Sequence, residues 1–248
     1  MTEPPLPAPD ARRAELAANL ARVRARIDAA CASAGRDPAD VTMVAVTKTY
    51  PASDVTLLAG LGVRDVGENR DQEAAPKAAE VAASGARVRW HFVGQLQRNK
   101  ARSVVRYADL VHSVDSVRLA GALAEAARRQ REQPLEVLVQ VNLDGAADRG
   151  GALVTGGDPD REVTGVAAAV AGQDSLRLAG VMAVAPLGVD PEPAFATLAE
   201  VAAGLRAEHP GAVVVSAGMS GDLEAAIAYG ATHVRIGSAL LGMRTTLR

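Results

Sequence analysis

Aromatic side chains are scarce, with two phenylalanines, three tyrosines and one tryptophan in 248 residues. Since 48% of the residues are hydrophobic, the core has to be built from alanine, valine and leucine. So few aromatics leave no platform for stacking nucleic-acid bases. A net charge of −2 argues against a dominant surface for polyanions or anionic membranes. The lone Cys31 excludes an intrachain disulfide and fits a reducing compartment. No run reaches the ~18 apolar residues of a membrane span. The first residues, Met1 to Pro7, lack a basic segment followed by an apolar one, so no secretory signal is expected. The expected location is the cytoplasm.

Several chemical signatures are missing too. No G-x-G-x-x-G follows the first strand-like segment, as a dinucleotide-binding fold would show. Gly150 to Gly157 is glycine-rich but has no G-K-[ST], so it is not a P-loop. Gly218-Met219-Ser220-Gly221-Asp222 has an aspartate where a nucleophile elbow needs its second glycine. Four histidines without ligand spacing and a single cysteine give no expected metal site. Arg98, Lys100, Arg102 and Arg106 read as a solvated basic face.

Lysine is rare as well. Of 27 basic side chains only Lys48, Lys77 and Lys100 are lysines; the rest are arginine. The chain therefore uses arginine where charge alone is wanted, and arginine cannot form an imine. Lys77 and Lys100 lie in helical or polar stretches and read as solvated. Lys48 ends the β-branched run Val41-Thr42-Met43-Val44-Ala45-Val46-Thr47, just before Thr49-Tyr50-Pro51. Residues two apart share a strand face, so Lys48 is expected beside Val44 and Val46, desolvated and available as a Schiff-base nucleophile. The competing reading is a stem on apolar surface with its head in water.

What is present in abundance is alternation. Residues 1–9 are proline-rich and read as a disordered head, leaving 10–248 as one domain. Leu16, Leu20, Val23, Ile27 and Cys31 form the stripe of a helix starting at Asp10 and ending near Ala34, expected to pack across one end of the domain. Strand-like segments then recur near 41–48, 63–66, 87–93, 109–113, 135–142, 176–184, 212–216 and 232–236. Helices lie between them (one of these over 99–107), Ser116 caps another, and a glycine-rich loop occupies 144–158. Eight strand–helix units point to an α/β fold, a (β/α)8 TIM-type barrel with an extra N-terminal helix, over an open doubly wound sheet.

Such barrels place chemistry at the carboxyl ends of their strands and often bind phosphate after the last two. Here the seventh strand leads into Ser216-Ala217-Gly218-Met219-Ser220-Gly221-Asp222 and the eighth into Gly237-Ser238. Glycines let backbone approach an anion, hydroxyls donate to it, and helix starts add N–H groups. The alternative is a pair of ordinary capped turns. Arg235, on an interior strand, either faces an anion or ring nitrogen or makes a surface ion pair. Asn69, after Gly67-Glu68, either bonds a ligand or caps a helix. An imine-forming lysine opposite a phosphate cradle fits pyridoxal 5′-phosphate.

The segments Val44–Thr49, Gly67-Glu68-Asn69, Trp90-His91-Phe92-Val93-Gly94-Gln95-Leu96-Gln97-Arg98-Asn99-Lys100, Ser216–Asp222 and His233–Ser238 together resemble the pyridoxal phosphate homeostasis proteins. These are single-domain relatives of the alanine racemase N-terminal barrel, and the likeness covers roughly residues 12–243. The resemblance implies that Lys48 carries pyridoxal phosphate. It implies that Ser216, Ser220, Gly237 and Ser238, in turns that include Gly218 and Met219, hold its phosphate. Arg235 would face the pyridine nitrogen and Asn69 would lie near the ring. It further implies a non-catalytic role in intracellular cofactor homeostasis, with apo-enzymes as possible recipients. Tyr50 and Arg149 stand where many members have lysines. A pyridoxal phosphate-dependent racemase and a Schiff-base aldolase remain alternatives, and the few aromatics lean to a monomer.

Overall fold

The structure is a computed structural model that describes residues 9–144, 150–156 and 158–242. The chain runs α1 (Pro9–Ser33), β1 (Thr42–Val46), α2 (Ala52–Gly60), β2 (Asp65–Glu68), α3 (Asp71–Ala83), β3 (Arg89–Phe92) and α4 (Ala101–Val104). It continues through β4 (Leu110–Val114), α5 (Val117–Gln130), β5 (Leu135–Asn142), β6 (Ala152–Leu153), α6 (Val163–Ala171) and β7 (Leu176–Met182). The last elements are α7 (Glu192–Glu208), β8 (Val214–Ser216), α8 (Leu223–Ala228), β9 (His233–Ile236) and α9 (Ser238–Leu241). Strands pair in the order β4-β3-β2-β1-β9-β8-β7-β5, and β4 also pairs β5, so eight strands close into a ring. Every ladder is parallel, which gives a (β/α)8 barrel and excludes the open sheet.

Parallel strands covered on both faces read as near-continuous apolar runs, and these do. Their outer faces pack under the helices as two large Ala/Val/Leu clusters. Gly180 of β7 has φ +150, and a Cβ there would lie 1.9 Å from the Val214 carbonyl oxygen, so only glycine admits the β7–β8 approach. The Ser116 hydroxyl accepts from the Leu119 N–H and starts α5 as expected.

Five expectations need correction. The α1 stripe is buried as the spacing requires, but α1 does not cap an end of the barrel. Leu16, Leu20, Val23 and Ile27 share one cluster with Ala45 of β1 and with Val234 and Ile236 of β9. The cause is α9, only 4 residues long, which leaves the outer face of that seam to α1. The helix also begins at Pro9, so Asp10 lies in its first turn and does not cap it; residues 1–8 of the expected head lie outside the described residues. The stretch 99–107 holds only a 3₁₀ turn and the short α4. Within 144–158, β6 continues the sheet beside β5 through Val141↔Ala152 and Asn142↔Leu153.

The largest correction concerns Lys77, which is buried. Its Nζ donates to Glu68 Oε1 at 2.6 Å and to the Thr47 carbonyl at 2.8 Å. The Thr47 hydroxyl donates to the same Glu68 oxygen at 2.6 Å. This network pins α3 to the carboxyl ends of β1 and β2, directly beside Lys48. Burial pushes the Glu68 carboxyl above its usual range, against the pull of Lys77. Removing the cation should strand that carboxylate. Lys77→Met is therefore expected to cost about 3–5 kcal/mol in denaturant unfolding, and Glu68→Leu/Lys77→Met to recover much of it. A single variant as stable as the wild type would contradict this pairing.

Candidate functional site at the barrel mouth

Four neighbouring strands bring the expected residues to one end. Around the ring β2, β1, β9 and β8 are consecutive. Their carboxyl ends carry, in that order, Asn69, Lys48, the Gly237-Ser238 turn and the Gly218–Ser220 turn. In the β1–β9 ladder Val44 is opposite Arg235 and Ala45 opposite Ile236; continued past the strand ends, this register sets Ser238 level with Thr47, one residue before Lys48.

Lys48 differs from its expectation in one respect. β1 ends at Val46, Thr47 is buried, and Lys48 is exposed in the turn that follows. Lys48 is therefore solvated rather than shielded beside the valines. Val44 and Val46 do face the lumen, since both would touch a Cβ placed on Gly67. Thr49, next in the chain, has φ +68, the one positive φ among the described non-glycine residues. For a β-branched residue this is strained, costing on the order of 1–2 kcal/mol. Its N–H is held by Glu73 Oε2 at 3.2 Å. The turn that presents Lys48 is thus bent against its own preference and held by α3. Tyr50 points elsewhere: its hydroxyl donates to the Gly242 carbonyl at 2.7 Å and its ring lies under Arg12. Arg149 lies outside the described residues.

The two Ser/Gly turns meet. The Ala239 N–H donates to Ser220 Oγ at 3.3 Å, and Gly237 lies against Val46 of β1. Gly218 has φ +84, and a Cβ there would meet Ala226 Cβ at 2.6 Å, so the turn needs glycine. Asp222 Oδ1 accepts from the Met219 N–H at 2.6 Å and fixes the turn from within. Met219 lines a cleft of about 290 Å³ with Gln140, Asn142 and Leu187. Ser238 is exposed and Ser220 half-buried, so both hydroxyls are available at the rim. The helices that follow have only 6 and 4 residues, so local N–H groups rather than long helix dipoles would serve an anion.

Ser216 does not belong to that cradle. It is fully buried and bonded inside the barrel to Arg235 and His112. Arg235, 5% exposed, donates from Nη1 to Ser216 Oγ at 2.7 Å and from Nη2 to the Ala183 carbonyl at 2.8 Å. Neither partner is charged. Burial pulls the guanidinium down to about 10, with Asp222 opposing from a distance. A buried arginine bonded to neutral acceptors is costly to keep, and such groups concentrate at functional sites. Asn69 is half-buried; its Oδ1 is buried without a partner, and it lines a cleft of about 520 Å³ with Phe92, Gln95, Leu96 and Lys100. Gly94 makes that junction, because a Cβ there would lie 2.1 Å from the Asn69 carbonyl oxygen.

Residues not singled out in the sequence complete the lumen. His91 Nδ1 is 2.8 Å from His112 Nε2, and His91 Nε2 is 3.0 Å from Asp65 Oδ1. A visible signal existed: His91 lies between Trp90 and Phe92, and His112 follows Leu110 and Val111, each inside a strand segment. Burial holds His91 and His112 below the usual imidazole range and takes His233 down to about 4, with His91, Arg89 and Arg235 adding to the effect on His233 and Asp65 opposing it. A depressed imidazole contributes stability that is complete above the unfolded value near 6.5 and is lost as pH falls towards about 4. The protein should therefore lose stability between pH 7 and 5, with His233 alone accounting for on the order of 1–2 kcal/mol. Thermal melting across that range checks this; a midpoint that rises towards pH 5 would contradict it.

Comparison with known proteins agrees with the geometry. The model of the alanine racemase N-terminal domain matches residues 15–245. The pyridoxal phosphate homeostasis protein of Mycobacterium leprae (strain TN) is 45% identical over 244 residues, covering 93% of each chain. The structure of an unknown protein from Bifidobacterium adolescentis superposes with a TM-score of 0.84 at 32% identity, covering 93% of this chain and 96% of that one. PipY of Synechococcus elongatus PCC7942, solved with pyridoxal phosphate bound, superposes with a TM-score of 0.75 at 33% identity, covering 92% of this chain and all of that one. With its barrel, its mouth residues and these relatives taken together, the chain belongs to the pyridoxal phosphate homeostasis protein family, whose fold is that of the alanine racemase N-terminal domain.

Proposed function

We propose that this protein binds pyridoxal 5′-phosphate as a Schiff base on Lys48 and serves intracellular cofactor homeostasis and delivery without strong turnover of its own. The carrying observation is the sequence of groups around the mouth: an amide acceptor, an amine, a buried guanidinium and paired Ser/Gly turns on four consecutive strands. These fit the cofactor's aldehyde, pyridine nitrogen and phosphate, and Asn69 Oδ1 is a buried acceptor still lacking a donor. When bound, the group supplies an electrophilic carbon and a conjugated electron sink.

The chain's own residues then have distinct tasks. Lys48 attaches the ligand by condensation, which forms one C=N bond and releases water. Ser220, Gly237, Ser238 and the backbone at Gly218 and Met219 hold the phosphate. Arg235, a cation that only donates, addresses the ring nitrogen and leaves it unprotonated, which weakens the ring as an electron sink. Exposure of Lys48 suits a carrier, because a ligand at an open mouth can leave by exchange with an amine or water.

Turnover of an amino acid would need a second acid–base group opposite Lys48. His91 and His112 each have both nitrogens engaged in the lumen. The tyrosine hydroxyls contact Gly242, Asp71 and Glu192. His233 lies at the amino end of β9, away from the mouth. These commitments favour carriage over racemisation. No helix among the described residues is long and apolar enough to cross a membrane. A cytoplasmic monomer that hands the cofactor to apo-enzymes completes the proposal.

Borohydride reduction of protein incubated with pyridoxal phosphate, followed by peptide mapping, tests the attachment. A pyridoxyl adduct on Lys48, absent in Lys48→Ala, is expected. Reduced protein with no adduct at Lys48 would rule the reading out, and L-alanine to D-alanine turnover lost in Lys48→Ala would restore the racemase.

A further inference from the structure

The polar groups in the lumen form one unbroken line across the barrel. Asp65 stands at the amino end of β2, half-buried beside Met43 and Arg64. From its Oδ1 the line passes to His91 Nε2 at 3.0 Å, from His91 Nδ1 to His112 Nε2 at 2.8 Å, and from His112 Nδ1 to Ser216 Oγ at 3.0 Å. It ends at Arg235 Nη1, 2.7 Å from the same hydroxyl. Every member between the ends is buried, with His112 and Ser216 fully so.

The donors can be assigned by elimination. Burial pushes the Asp65 carboxyl up, but the hydrogen bond from His91 and the charges of Arg89 and its neighbours outweigh it, so it stays ionised. An ionised carboxylate only accepts, so the proton lies on His91 Nε2. A neutral His91 then has a bare Nδ1, which must accept from His112 Nε2–H. A neutral His112 has a bare Nδ1 in turn, which must accept from the Ser216 hydroxyl. The Ser216 oxygen is left with lone pairs for the Arg235 guanidinium. All donors point one way, from the guanidinium at the mouth to the carboxylate at the far end.

We infer that Asp65, His91, His112 and Ser216 are positioning residues that act as one directed chain, fixing the plane of the Arg235 guanidinium and keeping Ser216 as its acceptor. This rests on the reading that Arg235 faces the pyridine nitrogen, and it assigns that contact a remote determinant, Asp65, at the opposite end of the barrel. The Ala183 carbonyl holds the second arm of the fork, so two of the five guanidinium donors are fixed and the remainder serve a ligand. Ser216 has no hydrogen left for a phosphate. Neither imidazole has a nitrogen left for proton transfer to a ligand.

Side-chain ¹⁵N spectra of the histidines in the full-length protein, without added ligand, test the chain. Both His91 and His112 should appear as neutral Nε2–H tautomers, unchanged from pH 8 to 6. An Nδ1–H tautomer or an imidazolium at either position would overturn the inference. Asp65→Leu should then alter the tautomer of His112, which Asp65 does not touch. It should also weaken pyridoxal phosphate binding about two- to tenfold and shift the ratio of the bound cofactor's two absorption bands. If Asp65→Leu fails to fold, Ser216→Ala breaks the chain from the mouth side and should move the same His112 resonances and the same bands. A His112 signal indifferent to the folded variant overturns the chain while leaving Lys48 attachment intact. Normal tautomers without any Lys48 adduct sink the proposed function and leave the chain standing.

Discussion

Closure of the parallel ring is the constraint on which everything else depends. In a closed set of parallel strands all carboxyl ends emerge at one mouth. The β1–β9 ladder that completes this ring joins the first strand of the sequence to the last, with Val44 opposite Arg235. Residues 48 and 235, at opposite ends of the chain, thereby come from adjacent strands. The short α9 leaves that seam uncovered, and α1 supplies the missing layer through Leu16, Leu20, Val23 and Ile27. The N-terminal helix is therefore part of what holds the site together, and its Arg26 donates to the Ser220 carbonyl at 3.0 Å.

Two buried cations divide the electrostatic work. Lys77 is matched by Glu68 at 2.6 Å and ties α3 to the strand ends, a structural role. Arg235 has a hydroxyl and a carbonyl as its hydrogen-bond partners among the described residues, so its charge is stabilised by dipoles. A salt-bridged arginine would be cheaper to bury but poorer as a donor. The strained Thr49 and the directed lumen chain belong to the same pattern: rigid support around groups whose own preferences are not met locally.

Much of the architecture was legible in the sequence, because local period and turn chemistry carry it. Eight strand–helix repeats, the Ser116 cap and the α1 stripe all follow from nearest-neighbour preferences. The turns at Ser220 and Gly237 were legible for the same reason. What could not be seen were pairings set by register across the ring. Lys77 looked solvated because its alanine-rich helix does not reveal that Glu68 and the Thr47 carbonyl lie under it. Ser216 reads as part of the Ser/Gly turn that follows it, yet strand parity turns it into the lumen. His91 and His112, 21 residues apart, gave no spacing signal, since they meet only through adjacent strands. Lys48 was expected on the strand and lies one turn beyond it, because the ladder ends at Val46.

A crystal structure of the protein soaked with pyridoxal phosphate would test the central claim most directly. The account predicts continuous density from Lys48 Nζ to the ligand, the phosphate between the Gly218–Ser220 and Gly237-Ser238 turns, and the ring nitrogen within hydrogen-bonding distance of Arg235. Density joined to Lys77 or Lys100 instead, or a phosphate bound away from those turns, would contradict it.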